Sequence, residues 1–175
     1  ILNILAALTV MSIFLDISKL NRSIFMGFKT PDGRGDITKI KINNKNLNLI
    51  DESYNSNPLS LKNAILNFDK ININKGKKYL LLGDMLELGK HSKKLHQSIG
   101  KIINNSKIDK IFVKGSKVLF TYNSISKKKK GRVLNNNSEI IDLIKNDLNN
   151  NDYLMVKASN ATGFNKIISN IKRFK

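Results

Sequence analysis

The sequence predicts an α/β fold with a mostly parallel sheet and helices on both of its faces. From residue 79 onward, short apolar runs alternate with segments of helical spacing, a pattern typical of parallel sheets. Hydrophobic residues make up 41% of the 175 residues, which is enough to bury a core. Ligands of such sheets lie at the carboxyl ends of the strands, so the segments that follow the predicted strands are the candidate sites.

The second half of the chain supplies the alternating elements. In chain order they are strand 79–82, helix 92–104, strand 110–114, helix 138–148, strand 153–156 and helix 164–174. Each predicted helix carries apolar residues at helical spacing, and Ser138 is expected to cap the second one. We expect this part, residues 77–175, to form a domain that folds alone.

The first 75 residues have a different pattern. Residues 1–14 are apolar and predict a buried helix that is too short to cross a bilayer, and this start suggests a piece of a longer chain. Alternation over 37–49 predicts a hairpin with its turn at 43–46, and a helix is expected at 60–68. Residues 69–77 read as a linker, so we expect residues 1–75 to belong to a separate domain.

The composition restricts the possible functions. The chain contains no cysteine, which excludes disulfides, thiolate metal sites and a catalytic thiol. A net charge of +18 would suit a nucleic acid, but the lysines are spread along the chain and aromatic residues make up only 7%. The dense cluster, Lys127–Lys130 with Arg132, is interpreted as a solvated loop. A basic α/β nucleic-acid-binding module is kept as the alternative function, and a catalytically dead interaction domain as a further one.

The first polar segment follows the predicted hairpin at residues 51–58. One of its two adjacent carboxylates, Asp51 and Glu52, could accept both hydroxyl groups of a ribose, whereas an Asx-rich turn before a helix is the simpler interpretation. Arg34 lies between two glycines, and its guanidinium could pair with a phosphate or could be an ordinary surface group.

Two further polar segments follow predicted strands. Asp84 follows Gly83 at the end of the strand at 79–82. His96 lies in the next helix, where its side chain could form a hydrogen bond to the loop or could contact a substrate. No metal site is expected there, because His91 and His96 do not share a helical face. Lys157, Ser159 and Asn160 precede a helix and suit an anion such as a carboxylate, or else a simple helix cap.

These segments together resemble the Mur ligase family, and its MurF type in particular. DESYNSNP at 51–58 is similar to the family's D-D/E-x-Y-N-A-N-P loop, and LLGDMLELG at 81–89 with a following His is similar to its L-G-D-M-x-E-L-G run. VKASN at 156–160 resembles V-K-G-S-R/N, with Ala158 in place of Gly. PDGRG at 31–35 and NILAAL from Asn3 resemble the G-R-G loop and the end of the family's Asn-containing helix.

The resemblance implies a fold and a reaction. Residues 1–75 would be the C-terminal remnant of the central ATPase domain, and residues 77–175 the Rossmann-like C-terminal domain. The enzyme would use ATP and Mg²⁺ to join D-alanyl-D-alanine to UDP-N-acetylmuramoyl-tripeptide through an acyl phosphate, in peptidoglycan precursor synthesis. It would be a cytoplasmic monomer that binds neither nucleic acid nor membrane. The family's phosphate loop, G-T/S-x-G-K-S/T, does not occur in this sequence, so the chain alone is expected to be inactive and to hold no metal.

The resemblance also assigns roles to particular residues. Asn3 would lie near the adenine, Arg34 near the nucleotide phosphates and Glu52 at the ribose. The cleft between the domains would be lined by Tyr54, Asn55 and Asn57. The candidates for dipeptide contact are Asp84, His96, Lys157, Ser159 and Asn160. No catalytic residue is assigned.

Overall fold

The computed structural model describes residues 2–27 and 33–173, which fall into two compact units, Ile1–Thr30 and Pro31–Lys175. The first unit contains helix α1 (Leu2–Met11) and two short 3₁₀ helices, Ile17–Lys19 and Arg22–Phe25. The prediction of a buried helix here is wrong, because Leu5 and Val10 of α1 are 53% and 58% exposed. A unit of this length has too few residues to enclose a core.

The second unit is built on one sheet of six strands. The strands are β1 (Asp36–Ile42), β2 (Lys45–Glu52), β3 (Lys78–Gly83), β4 (Lys110–Lys114), β5 (Lys130–Val133) and β6 (Tyr153–Lys157). Their order in the sheet is β1-β2-β6-β3-β4-β5. Only the β1–β2 pair is antiparallel among these strands, so the mostly parallel sheet predicted from the sequence is confirmed.

The hairpin at the start of this unit precedes the expected domain boundary but pairs with a strand that follows it. Its turn is the two-residue Asn43-Asn44, with φ of 48° and 62°, a left-handed conformation that asparagine tolerates well. Strand β2 then pairs in parallel with β6, where Asn48 lies opposite Tyr153. Elements from both sides of the expected boundary at 75–77 therefore share one sheet.

Five helices accompany the sheet in the described part of the second unit. They are α2 (Pro58–Lys70), α3 (Ser92–Asn104), α4 (Leu119–Ser124), α5 (Asn137–Asp142), which continues as a π-helical turn (Leu143–Asp147), and α6 (Phe164–Lys172). Helix α5 begins with Asn136 as its cap, because the Asn136 side chain accepts a hydrogen bond from the Glu139 N–H. The expectation that Ser138 caps this helix is wrong, since its hydroxyl donates to Asn136 at 2.6 Å.

The helices cover both faces of the sheet. On one face α5 and α6 pack over β3 and β6, where Leu81 and Val156 are fully buried. On the other face α2 and α3 bury Ile65 and Ile99 against the alternate residues of the same strands. The layered architecture predicted from the sequence is thus confirmed, and it brings the strand ends to one edge.

The basic segment at residues 127–132 is part of the packed structure. Lys127–Lys129 forms a 3₁₀ turn before β5, and buried Lys129 donates to the carbonyl oxygens of Ser106 and Ile108. Arg132 forms an ion pair with Asp147 at 2.7 Å. The interpretation of this whole segment as a solvated loop is therefore wrong. Within residues 2–27 and 33–173, no helix is long and apolar enough to cross a membrane.

Candidate functional site

The carboxyl ends of β2, β6 and β3 lie side by side at one edge of the sheet. In the strand register, Lys157 of β6 is opposite Glu52 of β2 on one side and Leu82 of β3 on the other. The polar segments that follow these strands are therefore brought together, as parallel topology requires.

The glycine-flanked Arg34 is fixed to the end of β2. The Gly35 N–H donates to the Asp51 carbonyl at 2.7 Å, and the Tyr54 N–H donates to the Gly33 carbonyl at 3.2 Å. Gly33 has φ +79°, and a Cβ there would lie 2.9 Å from the Tyr54 nitrogen, so only glycine allows this close approach. The Arg34 guanidinium consequently stacks over the Tyr54 ring, 4.5 Å from its centroid.

Lys157 is buried between two acceptors of the polar loop. Its Nζ lies 3.2 Å from Glu52 Oε2 and donates to the Asn55 carbonyl at 2.8 Å. Only 2% of the Lys157 side chain is exposed, against 27% for Glu52. Burial lowers the pKa of the Lys157 ammonium, and the neighbouring Glu52 carboxylate opposes that effect. Both acceptors favour the charged ammonium, which fixes the Glu52 carboxylate in place.

A cavity of about 280 Å³ opens beside this pair and is lined by Arg34, Glu52, Tyr54, Asn55 and Asn57 among others. Within the described residues, no donor reaches Glu52 Oε1 and no carboxylate pairs with Arg34. The Asn57 side chain caps helix α2 by accepting from the Ser60 N–H. The cavity therefore presents one open carboxylate oxygen and one open guanidinium.

Asp84 and His96, both candidates for dipeptide contact, have side chains that bind the protein itself. Asp84 accepts hydrogen bonds from the backbone N–H groups of Ser116, Lys117 and Val118, at 3.2, 2.9 and 2.7 Å. His96 is buried, and its Nε2 accepts from the Met85 N–H at 3.2 Å. Both side chains hold the loop after β3 in place.

Ser159 and Asn160 lie on a second, larger cavity of about 670 Å³. The Ser159 hydroxyl accepts from the Leu86 N–H at 3.0 Å, so it joins the loop after β6 to the loop after β3. The Asn160 side chain accepts from the Asn165 amide at 2.6 Å. Tyr54 and Asn55 line this cavity as well as the smaller one, so the two cavities adjoin each other.

Sequence reasoning did not anticipate the ion pair of Asp51, and it missed Glu87 and Lys166 as cavity residues. Buried Asp51 forms an ion pair with Lys172 of α6 at 2.7 Å, beside a third cavity of about 640 Å³. Glu87 and Lys166 line the 670 Å³ cavity. Residue alternation along β2 would have separated Asp51 from Glu52, since neighbouring side chains point to opposite faces. The sequence contains no comparable pattern that would have predicted Glu87 and Lys166 as residues of one cavity.

Asn3, the candidate for adenine contact, lies in α1 of the first unit. Its side chain lies outside the described residues. Among the described residues, no group of three His, Cys, Asp or Glu is arranged to hold a metal ion.

Comparison with known proteins identifies the architecture. The family model described as "Mur ligase, glutamate ligase domain" matches residues 33–160. The chain belongs to the Mur ligase family. The matched segment begins at Gly33 and ends at Asn160. It therefore includes Arg34, Glu52 and Tyr54 of the 280 Å³ cavity and Glu87 and Ser159 of the 670 Å³ cavity.

Curated relatives of the Mur ligase chain include two named UDP-N-acetylmuramoyl-tripeptide--D-alanyl-D-alanine ligase. One, from Bacillus subtilis, is 31% identical over 71% of this chain and 28% of its own length. Another, from Buchnera aphidicola of Baizongia pistaciae, is 35% identical over 73% of this chain and 27% of its own length. The chain thus spans little more than a quarter of the length of these relatives.

Solved structures agree with this assignment. The MurF ligase of Thermotoga maritima, determined with ADP, matches 98% of this chain and 37% of its own, at a TM-score of 0.68 and 26% identity. MurF from Acinetobacter baumannii matches 82% of this chain and 30% of its own with a TM-score of 0.65, and at 22% identity it supports the fold alone. Nothing in these matches supports the nucleic-acid-binding alternative.

Proposed function

We propose that this Mur ligase chain is the C-terminal part of an ATP-dependent enzyme that joins D-alanyl-D-alanine to UDP-N-acetylmuramoyl-tripeptide. Such a reaction belongs to peptidoglycan precursor synthesis and so to cell wall formation. The substrates are those in the names of the curated relatives. The observation that carries the proposal is the Glu52–Lys157 pair beside Arg34, because it leaves groups suited to a nucleotide open to one cavity.

The residues present fit the ribose and phosphate parts of a nucleotide. Glu52 Oε1 is available to accept from ribose hydroxyls, while Oε2 is held by Lys157. The planar guanidinium of Arg34 is suited to phosphate oxygens and is oriented by its stacking on Tyr54. ATP, when bound, supplies the phosphoryl group that activates the carboxylate of the tripeptide.

Further roles follow from the same proposal. Tyr54, Asn55 and Asn57 line the nucleotide side of the cleft. Ser159 and Asn160 lie on the dipeptide side. Asp84, His96 and Lys157 act by positioning other groups, since their polar atoms bind the protein. Mg²⁺ is bound by other residues of the longer enzyme, which works as a cytoplasmic monomer.

A chimera tests this function. The C-terminal segment of the Bacillus subtilis relative is replaced by residues 33–173 of this chain, and ADP release is measured with each substrate varied. We expect release that depends on D-alanyl-D-alanine, and Glu52→Ala should raise the KM for ATP several-fold more than the KM for the dipeptide, because a ribose contact is lost.

The 175-residue chain alone serves as the control and should release no ADP, since phosphoryl transfer needs a phosphate cradle that this sequence does not contain. A folded chimera whose ADP release ignores the dipeptide would contradict the proposed substrate. Unchanged ATP kinetics in the Glu52→Ala chimera would make Glu52 a structural residue only.

A further inference from the structure

The 670 Å³ cavity is lined by two solvent-exposed side chains of opposite charge. Glu87 and Lys166 both line it, and within the described residues neither side chain has an ion-pair partner within 4.0 Å, including each other. A ligand with one positive and one negative group would complement both. The side-chain amide oxygens of Asn55 and Asn160 on the same cavity accept from Ser56 and Asn165, which leaves their Nδ2 groups to donate to the carbonyl of a peptide unit.

Glu87 is held at the cavity in a costly backbone conformation. Its φ is +62°, in the left-handed region, where a residue other than glycine is disfavoured by about 1 kcal/mol. The three preceding residues are each fixed by a hydrogen bond: Asp84 through its carboxylate, Met85 to His96 and Leu86 to Ser159. The side chains that the sequence marked as ligand contacts therefore act together to present Glu87.

Lys166 lies in the first turn of α6 and supplies the positive charge of the same cavity. Helix α6 starts after Gly163, which has no side chain to cap it, and in its first turn the Asn165 side chain accepts from the Lys166 N–H at 2.8 Å. The positive end of the helix dipole and the Lys166 ammonium therefore reinforce each other, and both favour a carboxylate.

We propose that this cavity is the binding site of a zwitterionic dipeptide, with Glu87 binding its α-ammonium group and Lys166 its carboxylate. The inference rests on the proposed function, and it moves the dipeptide contacts from Asp84, His96 and Lys157 to Glu87 and Lys166. The two cavities share Tyr54 and Asn55 in their linings, so an amine bound by Glu87 lies in a cavity that adjoins the nucleotide cavity.

The test uses the 175-residue chain and three probes followed by NMR titration. The probes are D-alanyl-D-alanine, its N-acetyl derivative, which lacks the ammonium, and its C-terminal amide, which lacks the carboxylate. The free dipeptide should bind about tenfold more tightly than either derivative, as expected for one charged hydrogen bond. Glu87→Gln should remove the preference over the N-acetyl form, and Lys166→Met the preference over the amide.

Two controls separate binding from structure. Lys101→Met changes an exposed lysine of α3 away from these cavities and should alter neither preference. Glu87→Gly relieves the left-handed strain, so it should be at least as stable in urea as the parent while losing the preference over the N-acetyl form. A destabilised Glu87→Gly variant would show that Glu87 has a structural role instead.

The outcomes also distinguish this inference from the proposed function. Dipeptide binding whose preferences survive both Glu87→Gln and Lys166→Met would overturn the inference. So would the absence of any dipeptide shift, even where ADP shifts the signals of Arg34 and Glu52. In both cases the proposed function stands, since only a chimera without dipeptide-dependent ADP release counts against it.

Discussion

The buried pair of Glu52 and Lys157 gives a prediction that can be measured on this chain without substrate. At 3.2 Å and an effective dielectric constant of about 20, the two charges attract by about 5 kcal/mol before the cost of desolvation is subtracted. Removing one member of a buried pair typically costs about 3–5 kcal/mol. Glu52 remains 27% exposed and keeps some water contact, so we expect Lys157→Met to lower the free energy of unfolding by about 2–3 kcal/mol.

The interaction is isolated by a double-mutant cycle of Lys157→Met and Glu52→Gln. Urea unfolding is followed by circular dichroism, because the chain has no tryptophan to report by fluorescence. We expect a coupling energy of about 1–2 kcal/mol, which is the usual size for two groups in direct contact.

Lys129→Met is the matched control for this cycle. Lys129 is also buried with a pKa lowered by desolvation, but it donates to two backbone carbonyls and not to a carboxylate. Its loss should destabilise the chain without coupling to Glu52→Gln. A coupling energy below about 0.5 kcal/mol between Lys157→Met and Glu52→Gln would refute the reasoning from the ion pair. A coupling energy of Lys129→Met with Glu52→Gln as large as that of Lys157→Met would refute it too.

Two further predictions concern stability. The buried Ser56 hydroxyl has no hydrogen-bond partner among the described residues, so Ser56→Ala should raise the free energy of unfolding by about 1 kcal/mol, and a loss would show a hidden partner. A chain of residues 31–175 should keep the urea midpoint of the main transition, whereas residues 77–175 should unfold at much lower urea or aggregate. The shorter piece lacks β2, which pairs with β6, and the core residues of α2. Equal urea midpoints for the two pieces would show that the sheet does not need β2 for its stability.

Regular elements were predictable because their patterns are local. Helix α3 and strand β4 have the bounds that apolar spacing predicted, and the Asn43-Asn44 turn lies where two asparagines interrupt the alternation. Helix α4 and strand β5 were missed because they are short, and because β5 at the sheet edge carries Lys130 and Arg132 in place of an apolar run. Local pattern cannot show that such a segment pairs with β4.

The candidate site was predictable in position but not in the role of each side chain. Parallel strands bring Glu52, Lys157 and the loop after β3 to one edge, which follows from the fold class alone. Whether a polar atom is free depends on three-dimensional partners. The Asp84 carboxylate accepts hydrogen bonds from the loop that follows β4, some thirty residues later in the chain. No rule based on local sequence spacing could have predicted these partners.

The same argument applies to a part of the chain's positive net charge, which is +18 in total. Three lysines donate to backbone carbonyls at or just beyond the C-terminal ends of helices: Lys45 to Lys145 and Leu148, Lys78 to Asp69, and Lys129 to Ser106 and Ile108. Helix C-termini carry partial negative charge, so these cations stabilise the fold. The ammonium groups of these three lysines bind carbonyl oxygens of the protein itself and are therefore not available to the phosphates of a nucleic acid. Lys166 differs from them, because its ammonium group donates to no backbone carbonyl or carboxylate among the described residues and lines the 670 Å³ cavity, where it remains available to a ligand.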